Sequence, residues 1–256
     1  MLLTDAALAL DPALVMERAG QPPDPWQRRL LRSTAPRILI NVTRQGGKST
    51  TVGALAAHAA HYTPGALVLC LSPSQRQSGE LHRKVKDSLA VLGDAGAELE
   101  QDSVLSTELG NGSRVVALPG KEGTVRGYSG AHLLIVDEAS RVSDDLYRAV
   151  RPMLAVSGGR LIAPSTPFGK RGWWYEEWEH GGDTWERYEV RADQCPRISR
   201  EFLAEERRAL GVFYAQEYEN AFLDPVNALF SGADIDAMLS DEVAPLFPLK
   251  PLQEAV

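Results

Sequence analysis

Cysteine is scarce in this sequence. Cys70 and Cys195 are too few and too far apart for a disulfide framework or a zinc site, and such sparse usage fits a reduced, intracellular setting. Long apolar runs are missing as well. No segment reaches membrane-spanning length, and no basic stretch before an apolar core opens the chain. The expectation is a protein with no membrane association that stays where it is made. An excess of positive charge is also lacking: the formal charge of −7 argues against a surface built mainly to coat nucleic acid. One basic strip on an acidic body remains compatible with that value. Internal repeats and low-complexity tracts are absent too, which argues against a repeat array.

What is present is an ordinary globular composition. With 44% hydrophobic and 24% charged residues over 256 positions, the chain suffices for one large domain or a domain with a small appendage. Met1 to Gly20 reads as a short helical arm interrupted at Pro12. The prolines of "QPPDPWQRRLLRS" open a helix carrying Trp26 and Gln27. "RILINV", "ALVLCLS", "LLIV" and "GRLIAPS" are short apolar runs suited to strands buried on both faces. "STELGNGSRVVALPG" predicts a β-hairpin turning at Gly110-Asn111-Gly112. "TWERYEVRA" predicts an edge-like strand. Helices are expected over "TVGALAAHAAHY", over "PSQRQSGELHRKVKDSLAVLG", over "SDDLYRAVRPMLAVSG" with Ser143 as cap, and from Ser199 to about Phe222. A proline-containing tail follows from Phe230. Apolar strands alternating with helices make the fold class α/β, with a largely parallel central sheet flanked by helices.

Two motifs carry chemistry. "TRQGGKST" follows a strand and opens a helix, the context of a phosphate-binding loop. Its closing Gly47-Lys48-Ser49 fits the pattern, with Thr50 next, but Val42 stands where the opening glycine belongs. Gly46 and Gly47 let backbone N–H groups approach a triphosphate, Lys48 can reach its β- and γ-phosphates, and the Ser49 hydroxyl can ligate Mg²⁺. Some ninety residues on, "LLIVDE" ends a buried strand in two acids, a costly placement unless something there needs them. Asp137 would hold Mg²⁺ through its water shell and Glu138 would polarise the attacking water. Together they read as an ATPase site. A glutamate directly after that aspartate, with room for an extra strand between the motifs, points to the additional-strand (ASCE) class of P-loop ATPases.

Several separated segments then resemble one family, the ATPase domain of the large terminase subunit, the DNA-packaging motor of tailed double-stranded DNA viruses. "TRQGGKST" is similar to that family's variant loop, in which an Arg44-Gln45 pair replaces much of the glycine-rich entry. "PDPWQRRLL" resembles its adenine-reading segment, which implies Gln27 as the base contact. "GTVRGYSGAHLLIVDEAS" carries an Arg126-Gly127 pair upstream of the acids, as the family usually does. "APSTPFGKRGWWYEEW" resembles its coupling motif, with Ser165 and Thr166 reporting the γ-phosphate state. "FYAQEYENAFLDPVNALF" is similar to the segment that closes the ATPase region.

The expected division is a helical arm at 1–20, a P-loop ATPase core at 21–198 and a helical lid or linker at 199–256. The family usually adds a nuclease domain, which is expected to be absent here because "DEVAPLFPLKPLQEAV" offers no strand bearing a suitable acid. ATP and Mg²⁺ are the implied ligands. The implied partners are double-stranded DNA, a portal ring, a small terminase subunit and copies of the chain in a ring on the procapsid, in the cytoplasm of an infected host. Arg44 could touch the γ-phosphate in its own subunit or organise the loop by a salt bridge. A motor gated by neighbours also needs an arginine finger; Arg141 and Arg126 flank the acidic strand, and Arg141 lies nearer the chemistry. Arg76, Arg83, Lys84 and Lys86 offer phosphate contacts or simply a solvated helix face. Trp173, Trp174, Tyr175 and Trp178 could stack on nucleic acid, but a packed helix start is the better reading of their spacing. Rival functions are a helicase-like or DNA-repair translocase of the same class and a nucleotide-gated assembly module with little turnover.

Overall fold

The computed structural model describes residues 2–93, 99–120, 125, 127–224 and 237–238. Contacts divide the chain into Met1–Leu223 and Asp224–Val256. The second unit lies almost wholly outside the described residues, as do the expected proline-containing tail and the final residues of the closing segment.

The N-terminal arm forms α1 (Leu2–Leu10) and α2 (Ala13–Arg18), broken at Pro12. Pro25 opens α3 (Pro25–Arg32), where it lacks only an N–H that no helical partner would accept. The Gln27 Oε1 reaches back to accept from the Asp24 N–H at 2.8 Å and fixes that helix start. β1 (Arg37–Val42) leads through the phosphate loop into α4 (Lys48–Tyr62), and β2 (Leu67–Ser72) leads into α5 (Gln75–Leu92). Next come β3 (Leu99–Asp102), β4 (Ser106–Leu109), β5 (Arg114–Pro119) and β6 (Leu133–Val136). α6 (Asp144–Val150), β7 (Arg160–Ser165), α7 (Gly172–His180), β8 (Glu186–Val190), α8 (Arg200–Leu210) and α9 (Phe213–Tyr218) follow. Ser143 caps α6 as expected, its hydroxyl accepting from the Leu146 N–H.

The strands among the described residues form one sheet in the order β3-β4-β5-β2-β6-β7-β1-β8. Every pairing from β5 to β8 is parallel, and β4 and β3 extend the sheet as antiparallel strands. β8 is an edge strand, and β4–β5 is the expected hairpin. β3 was not anticipated, since "LEQD" has neither apolar alternation nor β-branched residues to mark it. The central strands β1, β2, β6 and β7 are buried on both faces, which is why they read as continuous apolar runs. Ile38, Ile40 and Val42 of β1 face α1 to α5, whereas Leu39 faces the layer containing Tyr147 and Trp174.

In space, β7 lies between β1, which delivers the phosphate loop, and β6, which delivers the two acids. This is the inserted strand of the additional-strand class, and it places three functional segments side by side at the carboxyl ends of parallel strands.

Candidate active site

The loop between β1 and α4 is shaped by close packing. Gly47 holds φ at +91°, and a Cβ there would stand 2.7 Å from the Gln27 amide nitrogen. At Gly46 a Cβ would strike the Val42 side chain at 2.5 Å. Val42 thus fills space beneath the loop, and the glycines above it are what that packing requires. Gln45 is left-handed, with φ +61°. The Lys48 ammonium donates to the Val42 and Thr43 carbonyls at 2.6 and 3.0 Å. Burial pushes its pKa below the usual lysine range, against the pull of Glu138 and Asp137.

The acidic pair is equally constrained. Asp137 is buried, and burial followed by the neighbouring Glu138 charge raises its pKa to about 6, against the pull of Lys48. Its Oδ1 accepts from the Glu138 N–H at 3.1 Å, and its Oδ2 lies 3.4 Å from the Ser49 hydroxyl. Glu138 sits at φ +51° and opens a short 3₁₀ turn, Ala139–Arg141. That turn is tied to the end of β7 through Ser140. The Ser140 N–H donates to the Ser165 hydroxyl at 3.1 Å, and its hydroxyl donates to the Thr166 carbonyl at 2.7 Å. Arg44 through Thr50, Lys84, Glu138 and Arg197 line a single cavity of about 430 Å³.

The ingredients fit a magnesium–nucleotide complex. Hydroxyl and carboxylate oxygens are hard donors, and Mg²⁺ commonly takes one or two such protein ligands plus substrate phosphates. A buried aspartate disfavoured as an anion is also a site where a bound cation is stabilising. Among the described residues no group of three or more His, Cys, Asp or Glu is placed to hold a metal ion.

The profile of the large terminase subunit, T4likevirus type, N-terminal part, matches residues 39–237. The chain belongs to this family. The fold is similar to the large terminase ATPase domain of Thermus phage P74-26, at 22% identity and TM-score 0.73, covering 81% of this chain and 97% of that one. It is also similar to the HK97 bacteriophage large terminase, at 15% identity and TM-score 0.68, covering 84% of this chain and 55% of that one. A thermophilic bacteriophage large terminase in complex with ATP-γ-S matches at 14% identity and TM-score 0.60, over 81% and 52%. The chain therefore spans about half the length of these two longer terminases.

In this terminase the sequence-predicted residues fall into three groups. Arg44, Gln45, Gly46, Gly47, Lys48, Ser49, Thr50 and Glu138 share the cavity, with Asp137 immediately behind. Ser165 and Thr166 are buried one hydrogen bond from the Glu138 turn. Arg141 lies 3.8 Å from the Glu138 carboxylate and stacks on Phe168 at 4.1 Å, with Arg171 also over that ring at 4.5 Å. Arg126 is outside the described residues.

Two of these residues have partners within the fold, and for Arg44 the partner matches the salt-bridge alternative. Gln27 is buried, with its amide occupied by Asp24 and by the Thr51 hydroxyl at 2.8 Å. Arg44 pairs with Glu217 of α9 at 2.5 Å, a contact of charge rather than of an aligned hydrogen bond. Sequence reasoning missed Arg197, whose guanidinium holds the Asp24 carboxylate at 2.9 and 2.7 Å and also reaches the Gly46 carbonyl. Nothing local in the sequence marks it. Lys84 was grouped with the basic face of α5, yet its ammonium donates to the Thr50 hydroxyl at 3.2 Å. Helical phase held a clue, because Lys84 borders the buried positions Leu81 and Val85. The aromatic segment packs as expected: Trp173 and Trp174 are buried, with indole N–H groups donating to the Val142 and Ala163 carbonyls.

Proposed function

We propose that this terminase chain hydrolyses ATP with Mg²⁺ and uses that reaction, in a ring of copies, to move double-stranded DNA into a procapsid. The carrying observation is the meeting of Lys48, Ser49 and Glu138 around one cavity, with Asp137 behind Ser49 and the Ser165–Thr166 segment wired to the Glu138 turn. Mg²⁺, when bound, neutralises charge on the terminal phosphate oxygens; Ser49 and Asp137 are the residues to hold it. The loop amides after Gly46 and the α4 N-terminus bind the phosphate chain. Glu138 takes a proton from the water whose oxygen attacks the γ-phosphorus, the bond to the β-phosphate oxygen breaks, and ADP leaves. Loss of the γ-phosphate changes what Glu138 faces, and Ser140 carries that change to Ser165 and Thr166.

Arg141 lies beside Glu138 in its own subunit, and we assign it the transition-state role ahead of Arg126. Gln27 supports the loop from below through Thr51 and keeps a second amide N–H for the base. The division into an arm at 1–20, a core at 21–198 and a lid region at 199–256 belongs to the same reading. So do a portal ring and small terminase subunit as partners, the host cytoplasm as location, and the absence of DNA cleavage by this chain. The thermophilic phage terminase with ATP-γ-S supports the nucleotide assignment by likeness of fold. The test is Glu138→Gln: ATP affinity should persist while magnesium-dependent phosphate release disappears. Unchanged turnover would remove Glu138 from the mechanism.

A further inference from the structure

We propose that Lys84 of α5 provides the site with a second ammonium, beside that of Lys48, for the terminal phosphates of the nucleotide. This rests on the nucleotide reading above and adds a residue from an element outside the phosphate loop and the acidic strand. α5 reaches the loop because Gly53 removes a side chain between the two helices. A Cβ at Gly53 would stand 3.2 Å from the Lys84 Cβ and 3.4 Å from its backbone carbonyl carbon. With α5 held so near, the Lys84 side chain extends along α4 to the Thr50 hydroxyl, 3.2 Å away, and lines the same cavity as Lys48 and Glu138.

The bonding state of this ammonium is what singles it out. Arg44 is paired with Glu217 and Arg197 with Asp24, so the charge of each is already answered within the fold. Arg83, next to Lys84 in sequence, is exposed and paired with Glu80. Among the described residues Lys84 has no carboxylate at ion-pair distance; the neutral Thr50 hydroxyl is its hydrogen-bond partner. An ammonium has three N–H donors, so two remain for an incoming acceptor. Position selects the terminal phosphates over the base. Arg197 stands at the Gly46 end of the loop, whereas Lys84 stands at the Ser49–Thr50 end. Its positive field also reaches Asp137.

The test is equilibrium binding of fluorescent ATP-γ-S and of fluorescent ADP, both with Mg²⁺, to the full chain. A charge-assisted phosphate contact of ordinary strength predicts about tenfold weaker ATP-γ-S binding in Lys84→Met, less than about threefold for ADP, and most of the loss restored in Lys84→Arg. The thermal midpoint should stay with the wild type. Equal weakening of both nucleotides, or none, would overturn the role of Lys84 while leaving the site intact. Failure of the wild-type chain to bind either nucleotide would overturn the nucleotide reading itself, and this proposal with it.

Discussion

The aromatic layer around α7 and the strand ends around the phosphate loop are both densely packed, but they differ in what their packing accomplishes. Around α7 every buried polar handle described is met: Trp173 and Trp174 donate to carbonyls, Trp185 donates to Glu177, and Tyr147 stacks on Trp173 with ring centroids 3.8 Å apart. At the strand ends an aspartate and a lysine are buried against their own charge. The described non-glycine residues with positive φ are Gln45, Glu138 and Asn220, and all three belong to or border this region. Asn220 exchanges amide hydrogen bonds with Asn41 at the end of β1. Such backbone strain costs about 1–3 kcal/mol per residue and persists where surroundings enforce it. One region spends its packing on stability; the other holds groups in states they would leave if released.

Substitutions that relieve buried charge or strained backbone at the strand ends should therefore raise stability, whereas those that empty the aromatic layer should lower it. Trp174→Ala removes the most deeply buried aromatic of the first region and should cost about 3–5 kcal/mol in denaturant unfolding. Asp137→Asn should raise stability at neutral pH. The Asp137 pKa is near 6 folded against 3.8 as reference, so its favourable contribution is complete below the reference value and is lost as pH rises through about 6. That loss amounts to roughly 3 kcal/mol. The stability gap between Asp137→Asn and the wild type should open between pH 4 and 6 and stay flat above, while magnesium-dependent nucleotide binding is lost. A gap independent of pH would show that Asp137 is not destabilised as an anion. Gln45→Gly should stabilise by about 1 kcal/mol through relief of the left-handed backbone; a drop in the unfolding midpoint would mean its side chain matters more than its strain. Arg44→Ala should cost no more than about 1 kcal/mol, since its guanidinium is largely exposed. A larger loss would mean that the Glu217 pair carries the loop's attachment to α9.

The parts legible in the sequence were those with a local cause. Buried parallel strands announce themselves as apolar runs, and "LLIVDE" states its own contradiction by ending such a run in two acids. Ser143 and the Gly110-Asn111-Gly112 turn follow from backbone chemistry within four residues. What escaped depends on approach between distant segments. Lys84 enters the cavity because Gly53, thirty-one positions earlier, lets α5 close on α4. Arg197 reaches the loop through Asp24, across 173 positions. Gln27 was read only as a base contact; the hydroxyl to which its amide donates belongs to Thr51 of α4, a residue with no motif meaning. β3 lacked both periodicity and β-formers, so its strand exists only because β4 offers an edge.

The insertion of β7 can also be viewed as a matter of width. Adjacent strands stand about 4.8 Å apart, so a strand placed between β1 and β6 sets the two functional strand ends about 10 Å from each other. Had β1 and β6 paired directly, the strand ends that carry the lysine loop and the acidic turn would stand one strand spacing, about 4.8 Å, closer together. On the proposed function, β7 is then a spacer as well as a connection: the strand that sets the separation of the two ends also carries Ser165 and Thr166, and a change in what Glu138 faces would reach them through Ser140.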